Sequence, residues 1–150
     1  MDTIWLDGAQ WLAVLRIGLG LWWLESWRHK DRTAWFERGT GIAWAADVAA
    51  KHRWSAVRSG FDTVVAPRPK AMAHVVVYAE LALGLGLVAG LLTPVALVAG
   101  LLLNLLYFTL MIHDWAEQGQ NAMMALISAV ALFGMAWQTW SLDDALGLGR

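Results

Sequence analysis

Three strongly polar side chains, Arg16, Glu80 and Asn104, lie near the centres of long apolar stretches in this sequence of 150 residues. An ionisable group at the centre of a membrane helix costs about 2.5 to 3.5 kcal/mol, so each such residue needs a partner or a role. Arg16 and Glu80 carry opposite charges at similar predicted depth, on helices expected to be antiparallel neighbours. We therefore predict a buried ion pair between them, with Asn104 donating to the remaining carboxylate lone pairs.

Two interpretations of this polar set remain open. In the first, Arg16, Glu80 and Asn104 only fix the register of the helices, since desolvation offsets much of the attraction within a buried ion pair. In the second, the three residues face a cavity and bind a small polar headgroup, or exchange a proton with it. The second interpretation makes Arg16, Glu80 and Asn104 the candidate catalytic residues.

A second polar cluster is expected at one end of the same apolar stretches. Glu25 and His29 are spaced i, i+4, His74 opens the second stretch, and His113 closes the third. Histidine exchanges protons near neutral pH, and together with a carboxylate it suits the oxygens of a quinone. The cluster predicts a cofactor site at the mouth of a helical bundle. The alternative is that lipid headgroups simply wet these side chains.

Aromatic side chains add to this candidate cofactor site. Trp22 and Trp23 lie deeper than most other tryptophans, which fall near the ends of the apolar stretches as in a membrane aromatic belt. They suit a pocket for a flat aromatic ligand, so we group them with the quinone-binding residues. A bis-histidine haem between His74 and His113 is geometrically conceivable, but nothing else in the sequence specifies a haem. No spacing typical of a metal site occurs, and no metal is predicted.

The composition is that of a membrane protein. Hydrophobic residues make up 59% of the chain and charged residues only 15%, whereas globular domains carry about 25% charged residues. Too little polar material is present to cover a surface in water. The absence of cysteine excludes disulfides, thiolate metal sites, iron–sulfur clusters and any cysteine nucleophile supplied by this chain.

Four apolar stretches are long enough to cross a bilayer as helices of roughly 20 residues. They cover residues 8–27, 71–92, 94–113 and 120–137. Thr93 and Pro94 form a tight turn with proline where a helix starts, and the third and fourth stretches are also joined by a short connection. We therefore predict an all-α membrane protein, one domain with four transmembrane helices in an up-down bundle.

One connection, residues 29–70, is long and basic. Nine of the eleven Lys and Arg residues lie between Arg28 and Lys70, which predicts that this loop is cytoplasmic and that both termini lie outside. Apolar residues near helical spacing over 42–50 predict an interfacial helix on the membrane, with a small soluble lobe as the alternative. Such spread cations suit anionic lipid headgroups, so the bilayer rather than nucleic acid is the expected partner.

Small residues occur at Ala82, Gly86 and Gly90, with the spacing i, i+4, i+8. Such a stripe is typical of close helix packing in membranes. We predict a close contact within the bundle, with a contact between copies in a homo-oligomer as the alternative.

Four segments resemble the DoxX/DoxD-like family of four-helix bacterial membrane proteins, which includes the membrane subunit of thiosulfate:quinone oxidoreductase. The segments are RIGLGLWWLESWRHK at 16–30, WFERGTGIAW at 35–44, YAELALGLGLVAGLLTP at 78–94 and DWAEQGQNAMMAL at 114–126. The residues that match the family's pattern are Arg16, Gly18, Lys30, Glu80, Gly84, Gly90 and Gln120.

The resemblance implies a quinone-linked redox role in the bacterial inner membrane, with a partner subunit or a soluble oxidoreductase. Because the chain has no cysteine, it cannot itself hold a thiosulfate-derived persulfide. Sulfur chemistry would need a partner, or an anion site at Arg16 or the loop cations. The leading hypothesis is thus a membrane subunit of a quinone-dependent oxidoreductase. The alternatives are a non-catalytic scaffold that anchors a soluble partner through the basic loop, and a small transporter.

Overall fold

The computed structural model describes residues 5–148, and every regular element within that range is a helix. The prediction of an all-α protein is confirmed for these residues. In chain order the helices are α1 (Gly8–His29), α2 (Arg32–Phe36), α3 (Thr40–Ala50), α4 (Ser55–Gly60), which runs into a π-helical turn at Phe61–Val65, α5 (Pro69–Ala89), α6 (Thr93–Leu110), α7 (Trp115–Phe133) and α8 (Leu142–Ala145).

Local sequence signals explain where the long helices begin and end. The Asp7 carboxylate accepts a hydrogen bond from the backbone N–H of Gln10 at 2.8 Å, and the Gln10 side chain accepts one from the backbone N–H of Asp7 at 3.0 Å. This reciprocal capping starts α1. Asp114 caps α7 by accepting from the backbone N–H of Ala116. Gly90 ends α5 with a φ of +67°, a left-handed conformation that favours glycine.

The four long helices pack as two antiparallel pairs, α1 with α5 and α6 with α7. Further contacts of α1 with α7 and of α5 with α6 complete the bundle. Glycines set the spacing of the first pair: a Cβ atom on Gly20 would lie 2.8 Å from the backbone nitrogen of Val88, and one on Gly84 would lie 2.6 Å from the Leu24 side chain. These two helices therefore approach backbone to backbone.

The close contact expected from the small-residue stripe is made by other residues. Gly86 and Gly90 have near neighbours, but Ala82 is exposed. Gly20 and Gly84 form the tight contact instead. Gly84 lies on the face of α5 that meets α1, whereas Ala82 lies about 200° away around the helix.

Predicted and observed helix limits agree best for the first three stretches. Residues 8–27, 71–92 and 94–113 coincide with α1, α5 and α6 to within a few residues, while α7 covers Trp115–Phe133 and is displaced from the predicted 120–137. It begins early because Asp114 caps a polar first turn that hydropathy does not mark. It ends early because the chain turns at Gly134 and Met135, the latter with a φ of +56°.

Among the described residues, α5 and α6 are long and apolar enough to cross a membrane, each with a mean hydropathy of 1.8 over its most apolar window. α1 carries Arg16 and Glu25, and α7 opens with polar residues such as Glu117 and Asn121, which lower the hydropathy of both helices. Length and composition thus support two of the four predicted spans. The other two stay predictions.

The connection between α1 and α5 packs on one end of the bundle, which we call the loop end. The helix expected at 42–50 is present as α3, which buries Ile42 and Ala49 and exposes Trp44. The buried imidazole of His52 contacts the carbonyl oxygen of Thr109 through Nε2 at 2.9 Å. The connection is therefore attached to α6 and to α5, and does not form a separate lobe.

The opposite end of the bundle, which we call the turn end, contains residues 90–93 and the segment after α7. The Asp143 carboxylate accepts hydrogen bonds from the backbone N–H groups of Leu92 and Thr93, both at 2.7 Å. These bonds fasten the segment after α7 to the α5–α6 turn. The main apolar core of the bundle is formed by Leu19, Trp23, Leu83, Leu87, Leu97, Met124, Ala131 and Ala136.

Candidate functional site

A buried ion pair joins the end of α1 to the middle of α5. Nζ of Lys30, the residue that caps α1, lies 2.5 Å from Oε2 of Glu80. The Glu80 side chain is only 2% exposed. Ser26 donates a second, longer hydrogen bond to the same oxygen at 3.4 Å, and Lys30 Nζ lies 5.0 Å from the ring centroid of Trp35. The carboxylate is thus held by a cation at the loop end.

The predicted ion pair between Arg16 and Glu80 is wrong. The tight contact of Gly84 with Leu24 sets the register of α1 against α5, and this register places Glu80 beside Ser26 and Lys30. Arg16 lies about 15 Å along α1 from Ser26, at a rise of about 1.5 Å per residue. The two charges are near the centres of their own helices, but the helices are staggered.

Arg16 instead holds the turn end together. Its side chain is fully buried, and its guanidinium donates to the carbonyl oxygens of Ala136 at 3.1 Å and Trp140 at 2.7 Å, with a longer bond to Thr139. These carbonyls belong to the irregular segment that follows α7. A guanidinium has several N–H donors in a rigid, planar arrangement. It can therefore donate to several carbonyl oxygens that lie outside a regular helix.

A cavity of about 440 Å³ lies between the two helix pairs at the loop end. This volume is in the range typical of small-molecule sites. α3 and the π-helical turn cover one side of it. Most of its lining is apolar or aromatic, with a few polar groups. The lining includes Trp22, Trp23, Ser26, Lys30, Trp35, Met72, Val75, Val76, Glu80, Leu103, Asn104, Leu106, Tyr107, Glu117, Gln120 and Asn121.

Two buried polar atoms in this lining have no hydrogen-bond partner within residues 5–148. They are Oδ1 of Asn104 and Nε1 of Trp23. The Asn104 amide nitrogen donates to the carbonyl oxygen of Gly100 at 2.9 Å, which leaves the amide oxygen as a free acceptor. An unpaired buried polar group costs about 1 to 3 kcal/mol. Two residues of the lining therefore keep one unused acceptor and one unused donor.

The structure brings together only part of the predicted site. Glu80, Asn104, Trp22 and Trp23 all line the cavity. The expected bond from Asn104 to Glu80 is replaced by its bond to Gly100. The remaining predicted residues, which are not among those lining the cavity, are Arg16, Glu25, His29, His74 and His113.

The residues of the predicted histidine cluster have other neighbours. Glu25 is exposed and pairs with Arg28 at 2.7 Å and with His29 at 3.1 Å. The His74 ring packs against the ring of Phe36, with 4.2 Å between centroids, and His113 is exposed. In residues 5–148, no three acidic or histidine side chains are close enough together to hold a metal ion.

Lys30 was not predicted as the partner of Glu80, and Trp35, Tyr107 and Asn121 were not predicted as part of the site. A signal existed for Lys30, because it matches the pattern of the family that the chain resembles. No periodicity marks Trp35, since it reaches the cavity from the short helix α2. Its place depends on how the connection folds back over the bundle.

The residues that line the cavity can support acid–base exchange next to a flat apolar ligand. A carboxylate with a neighbouring ammonium can take up or release a proton. The unpaired amide oxygen of Asn104 can accept a hydrogen bond from a ring hydroxyl, and the unpaired indole N–H of Trp23 can donate one to a ring oxygen. Aromatic side chains provide surfaces on which such a ring can pack.

Comparison of the chain with protein-family models, with curated proteins and with solved structures finds no match.

Proposed function

We propose that the protein is a four-span membrane subunit of a quinone-linked oxidoreductase, and that the cavity at the loop end binds the quinone headgroup. The observation that carries this proposal is the meeting of the Lys30–Glu80 pair with two unpaired polar atoms, on Asn104 and Trp23, in one largely apolar cavity. The resemblance to the DoxX/DoxD-like family supports the same function.

The distribution of charge supports four spans. Between Asp7 and Glu25 the only charged residue is Arg16, and it is buried. No charged residue occurs between Glu117 and Asp143. All four long helices expose large apolar side chains, as lipid-facing helices do. Examples are Val14, Leu15 and Leu21 on α1, Val75 and Leu85 on α5, Val95 and Leu102 on α6, and Met123, Leu126 and Phe133 on α7.

The same distribution supports an orientation in the bacterial inner membrane. The cations between Arg28 and Lys70 belong to the loop end, whereas Asp7, Asp143 and Asp144 belong to the turn end. By the positive-inside rule the loop end is cytoplasmic. α3 then lies at the cytoplasmic interface, with Trp44 exposed toward the lipid headgroups.

In this proposal four residues of the cavity have one task each. The amide oxygen of Asn104 accepts a hydrogen bond from a hydroxyl of the reduced ring, the quinol, and the indole N–H of Trp23 donates to a ring oxygen, which is a carbonyl in the quinone. Glu80 exchanges a proton at Oε2, and Lys30 balances the carboxylate's charge. A bound quinone would supply the redox chemistry, taking two electrons and two protons to become the quinol.

The electrons come from a partner subunit or a soluble oxidoreductase in this proposal. The chain has no cysteine with which to ligate an iron–sulfur cluster. The cationic loop end, which includes Lys51 and Arg53, is the side on which a cytoplasmic partner would bind.

The decisive experiment measures quinone binding and turnover. The protein is purified with its native partners in a mild detergent, and bound quinone is extracted and quantified. We expect quinone in the wild-type complex, and a large fall in quinone reduction for Glu80→Gln. Glu25→Gln is the matched control, because Glu25 is an exposed acid near the same end of α1. Absence of quinone, together with unchanged reduction in Glu80→Gln, would refute the proposal.

A non-catalytic scaffold is the second candidate function. It is favoured by the exposed side chains of Trp44 and Trp54 beside loop cations such as Arg53. A pull-down distinguishes the two functions. Loss of a stoichiometric partner in Lys51→Glu with Arg53→Glu, while Glu80→Gln changes nothing, would favour the scaffold.

A further inference from the structure

The two helix pairs are held closely at the turn end and separate toward the loop end. At the turn end, a Cβ atom on Gly134 of the segment after α7 would lie 2.7 Å from the Leu12 side chain of α1. A Cβ atom on Gly86 of α5 would lie 3.9 Å from the Cβ atom of Ala96 on α6. At the loop end the cavity occupies the space between the pairs. Two seams, α5–α6 and α1–α7, therefore bound this cavity on its sides.

The α5–α6 seam connects the cavity to the outer surface of the bundle. Val75 of α5 and Leu106 of α6 both line the cavity, yet their side chains are 59% and 47% exposed. A residue can line a cavity and also be exposed on the outer surface only where the wall of the cavity is thin or open. The cavity-lining residues near them on these helices include Met72, Val76 and Leu103, which are apolar, and the aromatic ring of Tyr107.

The α1–α7 seam has a different character. Its cavity-lining residues include Glu117 and Gln120, both exposed, and the large indole of Trp22. An apolar chain placed there would desolvate a carboxylate and an amide, which is unfavourable without new hydrogen bonds. The same chain placed between Val75 and Leu106 would meet mainly apolar and aromatic side chains.

We infer that the α5–α6 seam is a lateral portal, through which the isoprenoid tail of the quinone leaves the cavity and lies in the membrane. This inference rests on the proposed function and specifies its substrate class: quinones with a long apolar tail, taken directly from the lipid phase. The headgroup remains at Glu80 and Asn104 while the tail passes between Val75 and Leu106. Because lipid tails are as apolar as these side chains, the tail adds affinity through packing against the seam and not through transfer out of water.

The test compares quinones with and without a tail on variants that narrow the seam. The probes are a benzoquinone and a naphthoquinone, each with its isoprenoid tail and each as the tailless ring, bound to the full chain in lipid nanodiscs and counted by native mass spectrometry. The variants are Val75→Trp and Leu106→Trp. Leu102→Trp is the control, because Leu102 is exposed on α6 and does not line the cavity.

Because an indole in the seam takes the space of the tail, we expect both seam variants to weaken binding of the tailed quinones at least about tenfold, while binding of the tailless rings changes about twofold or less. Leu102→Trp is expected to bind all probes as the wild type does. Tailed quinones that bind both seam variants normally would overturn the portal and leave the proposed function standing. If no quinone binds the wild type, or if only phospholipid occupies the seam, both the proposed function and the portal are overturned.

Discussion

At the scale of single residues, the Lys30–Glu80 pair determines the chemistry that the cavity can perform. Glu80 is the only acidic or basic residue between Lys70 and Asp114, apart from His74 and His113. It is buried, so its charge must be balanced inside the protein. Lys30 reaches it because the lysine side chain can extend along apolar surface and bring its ammonium to a distant partner.

The burial of this pair leads to a stability prediction. We expect Glu80→Gln to lower the free energy of unfolding by about 3 to 5 kcal/mol, since it leaves the Lys30 ammonium without its carboxylate. The double variant Glu80→Gln with Lys30→Met is expected to recover much of that loss. Denaturant unfolding of the purified protein in detergent measures both values. Glu25→Gln is the control, and a loss for Glu80→Gln as small as for this exposed residue would contradict a buried pair.

Asn104 allows a prediction in which stability and binding move in opposite directions. Asn104→Leu keeps the approximate size of the side chain and removes an unpaired buried acceptor, so the unliganded protein is expected to be as stable as the wild type or more stable. Quinol affinity is expected to fall about tenfold, through loss of the hydrogen bond from a ring hydroxyl. Thermal unfolding and quinol titration measure the two effects. A fall in both would assign Asn104 to structure alone.

At the scale of elements, hydrogen bonds at the turn end connect α1, the α5–α6 turn and the segment after α7. Arg16 binds three carbonyl oxygens there, and Asp143 binds two backbone N–H groups. Gly90 lies between them: a Cβ atom on it would lie 2.6 Å from Nη1 of Arg16 and would also meet Ser141. These contacts close the bundle at the turn end, so the helix pairs separate only at the loop end.

The tight packing around Gly90 at the turn end predicts that a glycine-to-alanine substitution lowers stability more at Gly90 than at Gly18. Gly90→Ala is expected to cost about 1 to 3 kcal/mol, because Gly90 has a φ of +67° and no room for a methyl group. Gly18→Ala, at a helical position with nothing within 4 Å of a Cβ atom, is expected to be neutral or stabilising by about 0.5 to 1 kcal/mol. Thermal unfolding of the two variants provides the comparison, and equal effects would contradict the described contact.

At the scale of the whole molecule, the separation of charge between the ends distinguishes four spans from two. If all four long helices cross the membrane, the loop end and the segment after α7 face opposite sides. If only α5 and α6 cross, both face the same side. The absence of native cysteine makes single-cysteine labelling free of background.

We expect Ser59→Cys and Asp144→Cys to label from opposite sides of the membrane. Both positions are exposed, the first in α4 and the second in α8. A membrane-impermeant maleimide added to intact cells is expected to label Asp144→Cys and to spare Ser59→Cys. Permeabilised cells are the control, in which both react. Equal protection of both positions in intact cells would support two spans and reject the four-span bundle.

Much of this protein follows from its sequence alone. The scarcity of charge outside residues 28–70 marks the long helices, because an isolated charge in an apolar helix is costly. The same principle singled out Glu80 and Asn104, both of which the structure places in one cavity. Asp7 and Asp114 precede α1 and α7 and accept hydrogen bonds from their first N–H groups, but hydropathy does not mark such a cap, and the fourth helix was therefore predicted to begin only at residue 120.

The tertiary structure alone decided which polar group meets which. Arg16 and Glu80 each lie near the middle of a helix, and pairing them assumed that the two helices are level. The close contact of Gly84 with Leu24 staggers them, so Glu80 meets Lys30 and Arg16 meets the carbonyls after α7. Stagger depends on how side chains distant in sequence pack against each other, whereas hydropathy and helical periodicity describe each helix by itself. For this physical reason the sequence could indicate the depth of each polar residue in its own helix, and only the packed bundle could determine its partner.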